Sequence, residues 1–156
     1  MNLAYVSATL DAPAAAVWSV IGDFHGMAEW VAMITSSVPE SDEGIGSVRR
    51  VTADDGLVLR ERLVAYDDPG RRYSYEFADD PILFPVRSYR ATLHLLPITE
   101  SDQTFIEWYG EFDCADDQVE ENRAMFTGLY SVFIADLRRH LKAVRKPLTD
   151  PKHTIR

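Results

Sequence analysis

From Asp117 to Arg145 the apolar residues fall at helical steps. Phe126, Leu129, Tyr130, Phe133, Leu137, Leu141 and Val144 recur every three or four positions, which puts them on one face of a helix. Glu120, Arg123, Asp136, Arg138, Arg139 and Lys142 fall on the opposite side. A helix with so broad an aromatic face needs a large apolar surface to lie against, and the rest of the chain must supply it.

The upstream residues read mainly as strands. Leu3 to Leu10 alternates loosely and ends at Asp11-Ala12-Pro13, where Asp11 can cap free amides and Pro13 suits a first helical turn. The helix that follows, Pro13 to Ile21, stops at Gly22-Asp23, and Met27 to Trp30 reads as a second short turn. From Ser36 onward the period becomes two. Ile34 to Val38, Ser47 to Ala53, Leu57 to Asp67, Arg72 to Ala78, Val86 to Pro97 and Gln103 to Cys114 are predicted strands, seven with the first. Their connections are too short for crossover helices, so neighbours should pair antiparallel. The class is α+β, and 156 residues make one domain. That domain is predicted over 1–146, with 147–156, which holds two prolines, as a loosely docked tail.

Charge removes several functions. A net charge of -9 opposes nucleic-acid binding, which rests on Lys and Arg neutralising phosphates. No window approaches a membrane span and the first residues lack the basic head and apolar core of a signal peptide. With a lone Cys114 ruling out an internal disulfide, the expected location is the cytoplasm. His25, His94, His140 and His153 have no zinc spacing, and there is no calcium loop, phosphate loop or dinucleotide fingerprint. Neither metal nor cofactor is expected.

One hairpin can be read in register. Asp54-Asp55-Gly56 fits a three-residue loop with glycine last, which sets Val51 opposite Leu59, Arg49 opposite Glu61 and Ser47 opposite Leu63. The apolar members make this face the inner one, so Arg49 and Glu61 become a cross-strand ion pair on the concave side. A two-residue Asp55-Gly56 loop would pair Arg50 with Glu61 instead, and Glu61 points inward either way. The same parity puts Ile106, Trp108, Gly110 and Phe112 on one face of the last strand, Arg87, Tyr89, Ala91, Leu93 and Leu95 together on the one before, and Tyr73, Tyr75 and Phe77 together on the middle strand.

The order of elements and several local motifs resemble the helix-grip fold of the SRPBCC or START superfamily. Val17-Trp18-Ser19-Val20-Ile21-Gly22-Asp23-Phe24 with Ala28-Glu29-Trp30 is similar to its entry motif. Gly46 to Arg50, Asp55-Gly56, Arg60 to Leu63 and Tyr66-Asp67 resemble its bacterial core pattern, and Tyr73 to Tyr75, Pro85 with Tyr89, and Thr104 to Trp108 match later positions. The resemblance reaches to about Val144. It implies a curved antiparallel sheet gripping the C-terminal helix around a cavity for a hydrophobic small molecule. It does not imply one chemistry, because members include polyketide cyclases and dehydratases, lipid carriers and ligand sensors.

Arg49 and Glu61 are therefore the candidate catalytic pair, Glu61 to exchange a proton and Arg49 to stabilise developing negative charge. The competing reading is a structural ion pair that fixes register. Trp30, Tyr73, Tyr75, Tyr89, Trp108, Phe126 and Tyr130 are the candidate ligand-binding residues, with ordinary core packing as their alternative. Asn122 joins Phe126 and Tyr130 where the long helix should meet a ligand. His25 is a further candidate base or an exposed loop residue, and Asp79 to Val86 reads as a lid or a plain connection. The expected function is binding of a hydrophobic, oxygenated aromatic or polyketide-like molecule with cyclisation or dehydration, or else non-catalytic carriage or sensing. A docking role in a larger assembly, or a homodimer, is left open.

Overall fold

The computed structural model describes residues 1–41 and 43–145. Strand β1 (Asn2–Leu10) leads to helix α1 (Ala14–Ile21) and a 3-10 turn (Met27–Glu29). Strands β2 (Ile34–Pro39), β3 (Val48–Ala53), β4 (Val58–Asp67), β5 (Arg72–Phe77), β6 (Ser88–Ile98) and β7 (Gln103–Asp113) follow, and a second 3-10 turn (Asp116–Gln118) enters helix α2 (Val119–Arg145). The seven strands form one antiparallel sheet in the order β1-β7-β6-β5-β4-β3-β2. It curves round α2, which is the expected helix-grip architecture. The predicted tail beyond residue 146 lies outside the described residues.

The three-residue hairpin forms as read. Ala53 N–H donates to the Leu57 carbonyl at 2.8 Å, and Gly56 takes φ +89°, a conformation that a side chain would strain. Val51 then pairs with Leu59 and Arg49 with Glu61. Further along β4 a bulge between Leu63 and Ala65 reverses the parity, so Tyr66 sits opposite Tyr73 and their rings stack at 6.2 Å.

Helix α2 lies along β1. Arg123 Nε donates to the Leu3 carbonyl at 3.0 Å and Arg138 Nη2 to the Thr9 carbonyl at 3.1 Å. Fifteen residues of helix span about 22 Å and six residues of strand about 20 Å, so two arginines on one side of the helix reach both ends of an edge strand. Those contacts occupy backbone that an exposed edge would offer to another chain.

Several expectations are corrected. Pro13 is the N-cap of α1 rather than part of its first turn. Val144 is 53% exposed, because the helix runs past the sheet. Asp136 is buried rather than on the wet flank, and it accepts the Ala32 N–H at 3.0 Å while pairing with Arg139 at 2.7 Å. Arg87 precedes β6 and points out to Asp113 at 2.8 Å. The other inward rows hold: Ile106, Trp108 and Phe112 on β7, and Tyr89, Ala91, Leu93 and Leu95 on β6, are buried.

Candidate functional site

The long β3–β4 ladder carries a charged pair into the core. Arg49 Nε lies 2.9 Å from Glu61 Oε1, with Arg49 only 2% exposed and Glu61 8%. Arg49 Nη1 donates to the Phe24 carbonyl at 2.7 Å, and its guanidinium carbon lies over the rings of Phe24 at 4.1 Å and Tyr75 at 4.9 Å. Burial works against the arginine's charge, but Glu61 together with Tyr73 and Tyr75 more than offsets this and holds the guanidinium protonated.

Glu61 faces a cavity of about 60 Å³ between the sheet and α2. Its wall is otherwise apolar or phenolic: Val51 and Leu59 from the hairpin, Tyr75 and Phe77 from β5, Tyr89 from β6, and Phe126, Leu129, Tyr130 and Phe133 from α2. Met27 and Ile34 close one end, and Phe84 closes another. Phe84 stacks on Phe77 at 5.1 Å and meets Phe126 edge-on at 6.2 Å, so the loop 78–87 plugs the cavity through one ring.

Three hydroxyls stand round this space. Tyr89 and Tyr130 are joined by a hydrogen bond, while Tyr75 accepts from Trp108 Nε1 at 3.2 Å. Burial raises the pKa of all three phenols, that of Tyr75 and Tyr89 well above the ordinary phenol value. They are therefore protonated donors at neutral pH. Room for the Tyr130 hydroxyl comes from Gly110, where a methyl group would collide with that oxygen and approach the Tyr89 ring to 2.9 Å.

The sequence candidates separate into two groups. Glu61, Tyr75, Tyr89, Phe126 and Tyr130 line the cavity together. Arg49, Trp108, Trp30 and Tyr73 do not line it. Arg49 stands behind Glu61, and Trp108 stacks behind Tyr130 at 5.5 Å. Trp30 is packed 6.1 Å from Trp108, with its Nε1 lacking a partner among the described residues. Tyr73 lies among Phe24, Trp18 and Tyr66, where burial pushes its phenol up to about 12. Asn122 is also diverted, donating to the Pro85 carbonyl at 3.1 Å and so tying the plugging loop to α2. Phe84, Met27 and Ile34 were not singled out by sequence. Phe84 sits in an irregular loop with no periodicity to orient it, and the other two come from segments whose placement depends on the turn after α1.

A larger hollow of about 530 Å³ opens on the surface nearby, lined by Asp23, Phe24, His25, Ser47, Leu63 and Tyr66 among others. Leu63 lines this open cleft and Glu61 the inner cavity, so alternate residues of β4 serve neighbouring hollows. His25 belongs to the cleft. Its Nε2 is 3.2 Å from Ser47 Oγ, and burial lowers its affinity for a proton, so the ring is neutral at pH 7. It does not reach the cavity. His94 bonds Glu107 on the outer face at 3.1 Å. Among the described residues no group of three or more His, Cys, Asp or Glu could hold a metal ion, and no helix is long and apolar enough to cross a membrane.

The comparisons with known proteins agree with the fold. A family profile described as polyketide cyclase / dehydrase and lipid transport matches residues 1–142. The protein XoxI from Bacillus cereus is 30% identical, with a TM-score of 0.81 over 93% of this chain and 99% of its own. An uncharacterized protein from Bacillus thuringiensis is 29% identical, with a TM-score of 0.79 over 90% of this chain and 98% of its own. The di-domain ARO/CYC BexL from the BE-7585A biosynthetic pathway shares the fold at 16% identity and a TM-score of 0.78, over 93% of this chain and 48% of its own. No curated protein matches the sequence.

Proposed function

This chain belongs to the polyketide cyclase / dehydrase and lipid transport family, and from that premise we propose that it binds a hydrophobic, oxygenated aromatic or polyketide-like molecule in the Glu61 cavity and catalyses its cyclisation or dehydration. The observation that carries the reading is that one carboxylate and three tyrosines line the same space, among aromatic rings. Glu61 takes a proton from the acidic carbon between two carbonyls. A tyrosine O–H donates to the oxygen on which charge develops, and the apolar wall keeps water from competing. The cavity of about 60 Å³ is far below the roughly 300–1,000 Å³ of a typical ligand pocket. Loop 78–87 must therefore carry Phe84 outward for a substrate to enter.

Incubation of the purified protein with poly-β-ketone and aromatic precursors, followed by mass spectrometry, tests this. The wild type gives a product lighter by water or cyclised, and a folded Glu61→Gln variant does not. Undiminished turnover in that variant would remove Glu61 from the mechanism.

A second reading is a carrier or sensor that leaves its ligand unchanged. The 2.9 Å contact with Arg49 favours it, since a paired carboxylate is a weaker base. Native mass spectrometry of freshly purified protein separates the two: an unmodified ligand retained in the cavity, with no turnover, supports carriage. Either reading fits a cytoplasmic protein without a nucleic-acid partner, and the same spectrum reports whether it is a homodimer.

A further inference from the structure

Among the described residues, the cavity wall has one carboxylate and no cation. Among the residues that line it, Glu61 is the only acid, and no Lys, Arg or His is present. Arg49 is not on that wall: it stands behind Glu61, with Nε on the Glu61 carboxylate and Nη1 on the Phe24 carbonyl. A ligand carboxylate or phosphate entering here would lose its water, meet Glu61, and find no counterion.

The hydroxyls supply the complementary half. Tyr75 uses its oxygen to accept from Trp108, so its own proton remains for another partner. Tyr89 and Tyr130 share one hydrogen bond between two hydroxyls, and one of their two protons is left over. The tyrosines that line the space thus keep two O–H protons between them, and Glu61 is the one carboxylate beside them in a wall that is otherwise hydrocarbon. That inventory matches a neutral carbonyl compound bearing a hydroxyl or an acidic C–H, and it leaves an unpaired group on both sides when the ligand is an acid.

We infer that the cavity selects uncharged ketones and phenols and rejects carboxylates and phosphates built on the same skeleton. Free fatty acids and phospholipids are thereby excluded as ligands of the inner cavity, whereas neutral aromatic ketones are accepted. The inference rests on the proposed function in one respect only, that this cavity is where the ligand binds.

The test is a matched pair differing in charge, 2-acetylnaphthalene and 2-naphthoate, titrated into the full-length protein at pH 7.5 by calorimetry and ligand-observed NMR. The ketone binds, and the naphthoate binds about a hundredfold or more weaker. In Glu61→Gln the discrimination shrinks or reverses, because Arg49 is left without its counterion. Tyr130→Phe, which keeps the ring, weakens the ketone by up to roughly tenfold and leaves the naphthoate unchanged. Should Glu61→Gln fail to fold, the wild-type ratio and Tyr130→Phe decide. Equal or tighter binding of naphthoate to the wild type overturns the inference while leaving the cavity as a ligand site. Binding of neither compound removes the cavity reading, and this inference with it.

Discussion

Arg49 meets Glu61 at 2.9 Å across the β3–β4 ladder, and the carbonyl of Phe24 holds the arginine from the other side. One contact thus ties the hairpin to the segment after α1 and aims a carboxylate into the cavity. Deleting half of the pair leaves a buried charge alone. Glu61→Ala is expected to lose about 3–5 kcal/mol, and a double variant, Arg49→Met with Glu61→Leu, to recover most of it. Urea unfolding at pH 7 measures both. A single-variant loss below about 1 kcal/mol would mean the pair behaves like a surface ion pair.

Gly110 is the counterpart of Tyr130. A Cβ there would strike the Tyr130 hydroxyl and crowd the Tyr89 ring, and a well-packed interior yields little. Gly110→Ala should cost about 1–3 kcal/mol and break the Tyr89–Tyr130 hydrogen bond. Unfolding curves and the hydroxyl proton resonances of the two tyrosines follow it. A neutral effect would show that Tyr130 can move aside freely.

Alkaline pH should unfold the protein through its buried phenols. Tyr73 rises from 10.0 to about 12 on folding, and Tyr75 and Tyr89 rise well beyond the ordinary value. The unfolded chain gives up these protons first, so the stabilisation is complete below pH 10 and is lost as pH climbs through the raised values. Tyr73 alone accounts for about 3 kcal/mol by the end of that climb. Of the seven tyrosines, four are buried. Absorbance at 295 nm should show the four buried tyrosines ionising only together with the loss of near-UV circular dichroism. Smooth ionisation of all seven in a folded protein would contradict this.

Phe84 is the plug whose removal should show what the cavity becomes. Phe84→Ala takes away the ring stacked on Phe77 and against Phe126. It should raise the association rate of 2-acetylnaphthalene several-fold in stopped-flow mixing. The stability cost is about 1–3 kcal/mol, below the roughly 3–5 of a fully buried Phe, since the loop is partly exposed. An unchanged rate would move the entrance elsewhere.

The strand and helix assignments were legible because each has a period that survives without its neighbours. The β3–β4 hairpin was legible in register as well, since Gly56 fixes the loop length and Val51, Leu59 and Leu63 fix the face. Arg49 and Glu61 followed from counting. Parity failed where the strand gives way to a loop. The irregular lead into β6 turns Arg87 outward, away from the face it was read to share with Tyr89. Trp30, Tyr73 and Trp108 were rightly expected inside, yet an inward direction does not distinguish lining a cavity from packing behind its wall.

Sequence by itself determined the elements, the antiparallel pairing of successive strands from β2 to β7, the helix face that meets the sheet, and the inward Glu61, because periodicity and turn chemistry are local, whereas the pairing of β1 with β7 is tertiary. Tertiary structure alone decided the depth at which each ring stops. Phe126 and Tyr130 end at the cavity while Trp108 fills the layer behind, Phe84 plugs it from an aperiodic loop, and Asp136 is drawn into the core by a backbone amide 104 residues away. Those outcomes depend on the volume left when sheet curvature and helix position are fixed together, and no stretch of the chain carries that volume alone.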